Sequence, residues 1–210
     1  MFEFLAFLVG VMIMGPIVYI YFLVQDLKKR VDKLEDKNFS VIPSPIKIVE
    51  KQKDIKLNNH KALIYFKKRK NEELIEVQNL LDKKNIQYKT FIYGDYNNQD
   101  LINEALTSTF GIILNKSESQ GIAIQELMAT NLPLFVIDYE KNEYLNLNSF
   151  KFSSVPYWSD KCGIKINNIN DFENKIDEFI KNLTIYTPKD FIKENLSADK
   201  VRDRFIEEFR

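Results

Sequence analysis

Two carboxylates eight positions apart, Glu118 and Glu126, lie in the stretch Asn115–Asp138 (NKSESQGIAIQELMATNLPLFVID). Glu118 falls in a loop leaving an apolar strand, Phe110–Leu114, and Glu126 in the first turns of a helix that begins near Ile122. A strand–loop–helix turn of this kind delivers the loop side chain and the helix start to one place at the C-terminal edge of a sheet. Ligands bind there in open α/β folds. Gly121 lets the backbone approach a ligand closely. The free N–H groups at the helix start, near Ser119, Gln120, Gly121 and Ile122, suit a pyrophosphate, because the positive end of the helix dipole and its unpaired donors coincide. Glu126 can then accept hydrogen bonds from a ribose diol, and Glu118 from sugar hydroxyls.

Other chemistries are excluded by what the chain lacks. Its 210 residues carry 30 basic and 30 acidic side chains, so no basic surplus argues for a nucleic-acid partner. The single cysteine, Cys162, cannot form an internal disulfide, and burial as a small hydrophobe suits it best. The single histidine, His60, leaves no His cluster for a catalytic zinc, so no metal site is expected. The six glycines (10, 15, 94, 111, 121, 163) supply neither G-x-G-x-x-G nor G-x-x-x-x-G-K-[ST], which disfavours simple NAD binding and P-loop hydrolysis.

The elements that must position the two carboxylates follow from hydrophobic pattern. Short apolar runs at His60–Phe66, Ile86–Tyr93, Phe110–Leu114, Leu134–Ile137 and Gly163–Ile166 read as strands. Helical periods fall between them: from Asn71, as cap, to Asn85; over Gln99–Thr107; over Ile122–Thr130; and from Asn170, with Glu173 completing a capping box. That last helix buries Phe172, Ile176, Phe179, Ile180 and Leu183. Thr187-Pro188 and Ser197 open two more. Strands apolar on both faces that alternate with helices predict one α/β domain with a parallel sheet over residues 59–210.

The N-terminal segment is of another kind. Phe4–Val24 contains no charged residue, enough for a helix of roughly 30 Å, the thickness of a bilayer core. Residues 1–25 are therefore expected to be a transmembrane helix; MFEF offers no positive n-region for a signal peptide. Lys28, Lys29, Arg30 and Lys33 follow at once, so the positive-inside rule predicts a single-pass protein with its C-terminal domain in the cytoplasm. Residues 26–58 read as a short juxtamembrane helix, with Leu27, Val31 and Leu34 on one stripe, and a linker holding Pro43 and Pro45.

The stretch around the carboxylates resembles the donor-binding half of GT-B glycosyltransferases of the glycosyl-transferases-group-1 type. Their hallmark is E-x7-E within E-G-F-G-x-x-x-x-E-A-M-A-x-G-x-P. Glu118, Gly121, Glu126, Met128, Ala129 and Pro133 stand in matching places, while Ser119 and Asn131 replace glycines. Asn131 is an acceptable left-handed cap, and Ser119 is similar to a subgroup with E-S-Q-G. Ser154-Val155-Pro156-Tyr157-Trp158 running to Cys162-Gly163, and Phe191–Ser197, resemble that subgroup too. The likeness covers about residues 60–210.

The resemblance implies a Rossmann-like sheet, one half of a GT-B fold. It implies Glu118 on the donor sugar, as the catalytic-site carboxylate, and Glu126 on the nucleotide ribose. It implies no essential metal and no cofactor beyond a nucleotide-diphosphate sugar as donor. The family's basic pair for the diphosphate follows the first strand; here Lys67-Lys68-Arg69-Lys70 follows IYF, making Arg69 the expected contact, with Lys67 or Lys70 second. Trp158 either walls the donor pocket or packs in a hinge. A complete enzyme of this type has an N-terminal acceptor half, whose place is taken here by the anchor and linker. The expected partners are thus a lipid bilayer, a nucleotide sugar, and either an acceptor-domain protein or a second copy. The alternative is a non-catalytic tethered domain that binds a nucleotide sugar or a protein.

Overall fold

The computed structural model describes residue 25 and residues 42–50, 60–138 and 153–208. The chain divides into two units, Met1–Val41 and Ile42–Arg210. In the first, Gln25 alone is described, an exposed helical residue. The expected membrane span over Phe4–Val24 and the stem after it lie outside the described residues. Among the described residues no helix is long and apolar enough to cross a membrane.

The second unit is built on five strands: β1 (Lys61–Lys67), β2 (Gln87–Ile92), β3 (Phe110–Asn115), β4 (Leu134–Ile137) and β5 (Gly163–Ile166). Its helices are α1 (Asn71–Lys83), α2 (Asn98–Thr107), α3 (Ile122–Ala129), α4 (Phe172–Lys181), α5 (Pro188–Asn195) and α6 (Ala198–Glu208). All strands are parallel, in the order β2-β1-β3-β4-β5. Parallel strands need crossovers, and the crossover helices cover both faces of the sheet. This explains why β3 is buried at all six positions and reads as an unbroken apolar run ending in Asn115.

Strand alternation sends Leu63, Tyr65 and Ile113 to one face, packed with Leu101, Leu127 and Ile192 of α2, α3 and α5. Ala62, Ile64, Phe66 and Ile112 go to the other, with Val77 and Leu81 of α1 and Ile176 of α4. Phe135 fills the second face edge-on to Phe172 (4.9 Å between ring centres) and Phe179 (5.4 Å).

The helix ends agree with the sequence in part. Asn85 and Asn131 adopt left-handed φ of 53° and 64°, closing α1 and the turn after α3 as expected. Asn97 caps α2 by accepting the Gln99 N–H at 2.8 Å. Asn97→Ala is expected to cost about 1 kcal/mol in denaturant unfolding. Two expected caps are displaced. Asn71 is the first residue of α1 rather than its cap, because Glu73 reaches back to the Lys70 N–H at 3.2 Å. The Asn170/Glu173 capping box does not form. Asn168 instead accepts the Asn170 N–H at 3.0 Å and opens a 3-10 turn, Ile169–Asp171, while Glu173 pairs with Lys83 at 2.9 Å.

Part of the expected linker is a strap. Ile46 is 4% exposed, and its N–H donates to the Leu196 carbonyl at 2.8 Å. Lys189 Nζ donates to the Val49 carbonyl at 2.5 Å. The strap joins neither the sheet nor a helix, so its pattern shows no period, yet Ile46, Ile48 and Val49 extend the core beside α5.

Candidate functional site

With β1 flanked by β2 and β3, the connections from β1 and β3 leave in opposite directions. The crevice between their C-terminal ends is a topological switch point. Lys67 ends β1 and Asn115 ends β3, opposite each other in the ladder. Glu118 lies three residues further along.

Lys67 Nζ donates to Glu118 Oε1 at 2.7 Å; the two side chains are only 12% and 11% exposed. The same ammonium sits 4.1 Å from the centre of the Tyr93 ring. Lys67 is therefore the cation that meets the loop carboxylate. Arg69, expected in that role, has its guanidinium engaged in the scaffold. Its side chain is 4% exposed, grips Glu73 through two bonds of 2.8 and 2.6 Å, and donates to the carbonyls of Asn115 (3.3 Å) and Ile137 (2.9 Å). This ties the ends of β3 and β4 to the start of α1. Burial alone would raise the Glu73 carboxyl, but Arg69 and Lys70 hold it below its usual range. Lys70 is exposed.

Gly121 precedes α3 with φ 69° and ψ 35°. A side chain there would be strained, and its Cβ would lie 3.2 Å from Pro156 Cδ. Gly121 brings no capping side chain, and the amides of Ile122, Ala123 and Ile124 have no intrahelical acceptor. Ser119 is exposed in the loop and Ile122 is 47% exposed at the helix start. Gln120 holds the loop together. Its Oε1 accepts the Ser44 N–H at 3.2 Å and the Tyr157 hydroxyl at 3.4 Å, and its carbonyl accepts from Gln125 Nε2.

Glu126 is half-buried in the second turn of α3, with Asn98 Nδ2 at 3.4 Å from its Oε1. Burial raises its carboxyl pKa, and the Asn98 bond offsets this in part. Burial pushes the Tyr96 hydroxyl upward; its neighbour Tyr65 offsets this in part, and the charges of Glu126 and, more weakly, Glu118 add to the rise. Tyr65 stands edge-on to Tyr96 at 6.2 Å, fully buried. The Tyr65 hydroxyl makes no hydrogen bond of good geometry, and burial pushes its pKa far up, with Tyr96 next in effect.

The loop carrying Glu118 is anchored by groups to which the sequence reading gave no role. Asp138, at the end of β4, accepts the Ser154 N–H at 2.6 Å and the Ser153 hydroxyl at 2.8 Å, with Lys165 Nζ at 3.5 Å. Ser154 Oγ donates to the Asn115 carbonyl at 2.6 Å, and Asn115 Nδ2 to the Ser154 carbonyl at 3.2 Å. The Glu118 N–H donates to the Ser153 carbonyl at 3.2 Å. The signal in the sequence was an Asp directly after an apolar strand and a Ser pair ahead of Val155-Pro156. Tyr93 and Tyr96, in the turn Tyr93-Gly94-Asp95-Tyr96 after β2, were missed as well.

Trp158 packs against the core on the α3 side, with Lys165 Nζ 5.6 Å from its ring centre. Cys162 is buried, which pushes its thiol up to about 11. His60 precedes β1, at the sheet edge opposite Glu118. Among the described residues no group of three or more His, Cys, Asp or Glu is placed to hold a metal ion. No protein-family model matches the chain, and no curated protein matches it.

Proposed function

We propose that the second unit binds a nucleoside-diphosphate sugar at the β1/β3 switch point. On this reading the chain is a membrane-anchored glycosyltransferase, or the donor-binding half of a split one, with the sheet as one half of a GT-B fold. It would transfer a sugar to a glycan or lipid-linked acceptor. One observation carries the reading: Lys67, paired with Glu118, and Glu126, beside Asn98 at the start of α2, lie with the start of α3 at the C-terminal rim of a parallel sheet. In the proposed complex the diphosphate lies across the α3 amides and Lys67, where a helix dipole and an ammonium stabilise a leaving phosphate. Glu126 holds the ribose diol and Glu118 the sugar. Arg69 acts through the scaffold instead, by fixing the strand ends that set this spacing.

The test is a thermal titration of the full-length chain with UDP, GDP and ADP sugars. A donor at 100 times its dissociation constant should stabilise the protein by about 2.7 kcal/mol, roughly 5–11 °C in Tm. No shift with any of them overturns both enzyme readings. One observation favours the second reading, a tethered domain without catalysis. Of the three cations named for the diphosphate, Arg69 is committed to Glu73 and Lys67 to Glu118, which leaves Lys70, exposed at the start of α1. Binding without donor turnover, when an acceptor-domain protein is supplied, would select it.

A further inference from the structure

We infer that the Lys67–Glu118 ion pair is a latch that makes the site prefer a sugar-bearing diphosphate over the free diphosphate. This rests on the reading above and extends it from what binds to how the spent nucleotide leaves. Lys67 and Glu118 satisfy each other at 2.7 Å, nearly buried, with the ammonium also held over the Tyr93 ring. A diphosphate can reach Lys67 only in competition with the Glu118 carboxylate. Once Lys67 turns to the phosphates, the carboxylate is left in a poorly solvated place facing another anion. A half-desolvated carboxylate without a partner is costly.

The backbone offers no relief. The Glu118 N–H is fixed on the Ser153 carbonyl, and its Cβ stands near Gly121, where an added Cβ would lie 3.7 Å away. The loop therefore cannot swing the carboxylate into water without breaking the Asp138–Ser154–Asn115 ties beneath it. A donor with its sugar in place supplies hydroxyl donors to the freed carboxylate and offsets the cost. A nucleoside diphosphate that has lost its sugar does not. After transfer, Glu118 closes again on Lys67 and the diphosphate is released.

The experiment measures dissociation constants for UDP, GDP and ADP and their hexose conjugates on the full-length chain, alongside Glu118→Gln, Lys67→Met and the double variant. Melting curves report whether each variant folds. The wild type should prefer the sugar conjugate at least tenfold. Glu118→Gln, which keeps the shape but releases Lys67, should bind the free diphosphate about tenfold tighter and lose the preference. Lys67→Met should lose both ligands. The double variant, which also removes the carboxylate facing the diphosphate, should bind the free diphosphate better than Lys67→Met but more weakly than Glu118→Gln. If the wild type binds a sugar nucleotide but Glu118→Gln binds the free diphosphate no tighter, the latch is wrong and donor binding stands. If the wild type binds none of these nucleotides, donor binding itself is wrong, and the latch falls with it.

Discussion

Gly163→Ala is expected to cost the domain more than about 3 kcal/mol and to strip β5 from the sheet. Gly163 opens β5 at φ 140°, in a region that residues with a Cβ rarely enter, and such strain alone costs about 1–3 kcal/mol. The added methyl would also lie 1.9 Å from the Leu134 carbonyl oxygen, 2.8 Å from its carbon and 2.9 Å from its nitrogen. Those atoms are backbone, and Leu134 is the ladder partner of Gly163. Relief requires β4 or β5 to move. β4 cannot yield cheaply, since Leu134, Phe135, Val136 and Ile137 are all 0% exposed and close-packed interiors transmit small displacements. β5 would leave and take Ile166 out of the core. Gly94→Ala is the control. Gly94 has φ 97° but nothing within 4 Å of an added Cβ, so it should lose only the conformational part, about 1–2 kcal/mol. Equal losses in the two variants, measured by urea unfolding, would show that the contact with Leu134 is not the cause.

The central strands β3 and β4 show how much of the fold was legible. Parallel strands buried on both faces write themselves as apolar runs, so Phe110–Leu114 and Leu134–Ile137 could be read directly, and the crossover helices between them by their period. Asn85 and Asn131 were legible because a left-handed helix stop has a residue signature. Strand order has no such local signature, and the switch point between β1 and β3 emerged only from the pairing. Caps were misplaced where a long side chain overrode the local rule. Glu73 serves both Arg69 and the Lys70 N–H, which moved the start of α1 by one residue.

The site was legible to the same degree. Glu118 and Glu126 are distinctive as a pair on a loop and the helix after it; Glu118 meets Lys67 at the end of β1 and Glu126 meets Asn98 at the start of α2. A run of four consecutive basic residues could not reveal which one faces the loop. Strand alternation decides it. Lys67 continues the register of Leu63 and Tyr65 onto the α3 face, where Glu118 waits, while Arg69 lies past the strand end and turns toward the carbonyls of Asn115 and Ile137. The strap at Ile46 was illegible for another reason: three apolar residues in extended chain earn no periodic signal, yet they pack on the core and bring Ser44 to Gln120.

Glu126→Gln should move two readouts in opposite directions. Burial holds the Glu126 carboxyl above its ordinary value of 4.5, so the folded chain keeps that proton more tightly than the unfolded chain does. Stability from this group therefore falls as pH rises from about that value to the raised folded one, and above it the cost is constant. Replacing the carboxylate with an amide removes the cost, so the variant should be slightly more stable at pH 7. The gain stays under about 1 kcal/mol because solvent still reaches the half-buried side chain. Its stability should also lose the corresponding decline as pH rises above about 4.5. Gln can keep the Asn98 contact through its own Oε1, which limits any loss elsewhere. Donor binding should collapse. An amide accepts hydroxyl hydrogen bonds without charge assistance, each about 1–1.5 kcal/mol weaker; over the two hydroxyls of a diol that is roughly 2–3 kcal/mol, or about 30- to 150-fold in affinity. At a donor concentration 100 times the wild-type dissociation constant, a 100-fold loss reduces the stabilisation from about 2.7 to about 0.4 kcal/mol. A variant that is both stabler and blind to the donor marks a carboxylate retained for ligand rather than for fold. If Glu126→Gln instead melts lower and binds as the wild type does, the carboxylate belongs to the scaffold, and the ribose contact proposed for it is wrong.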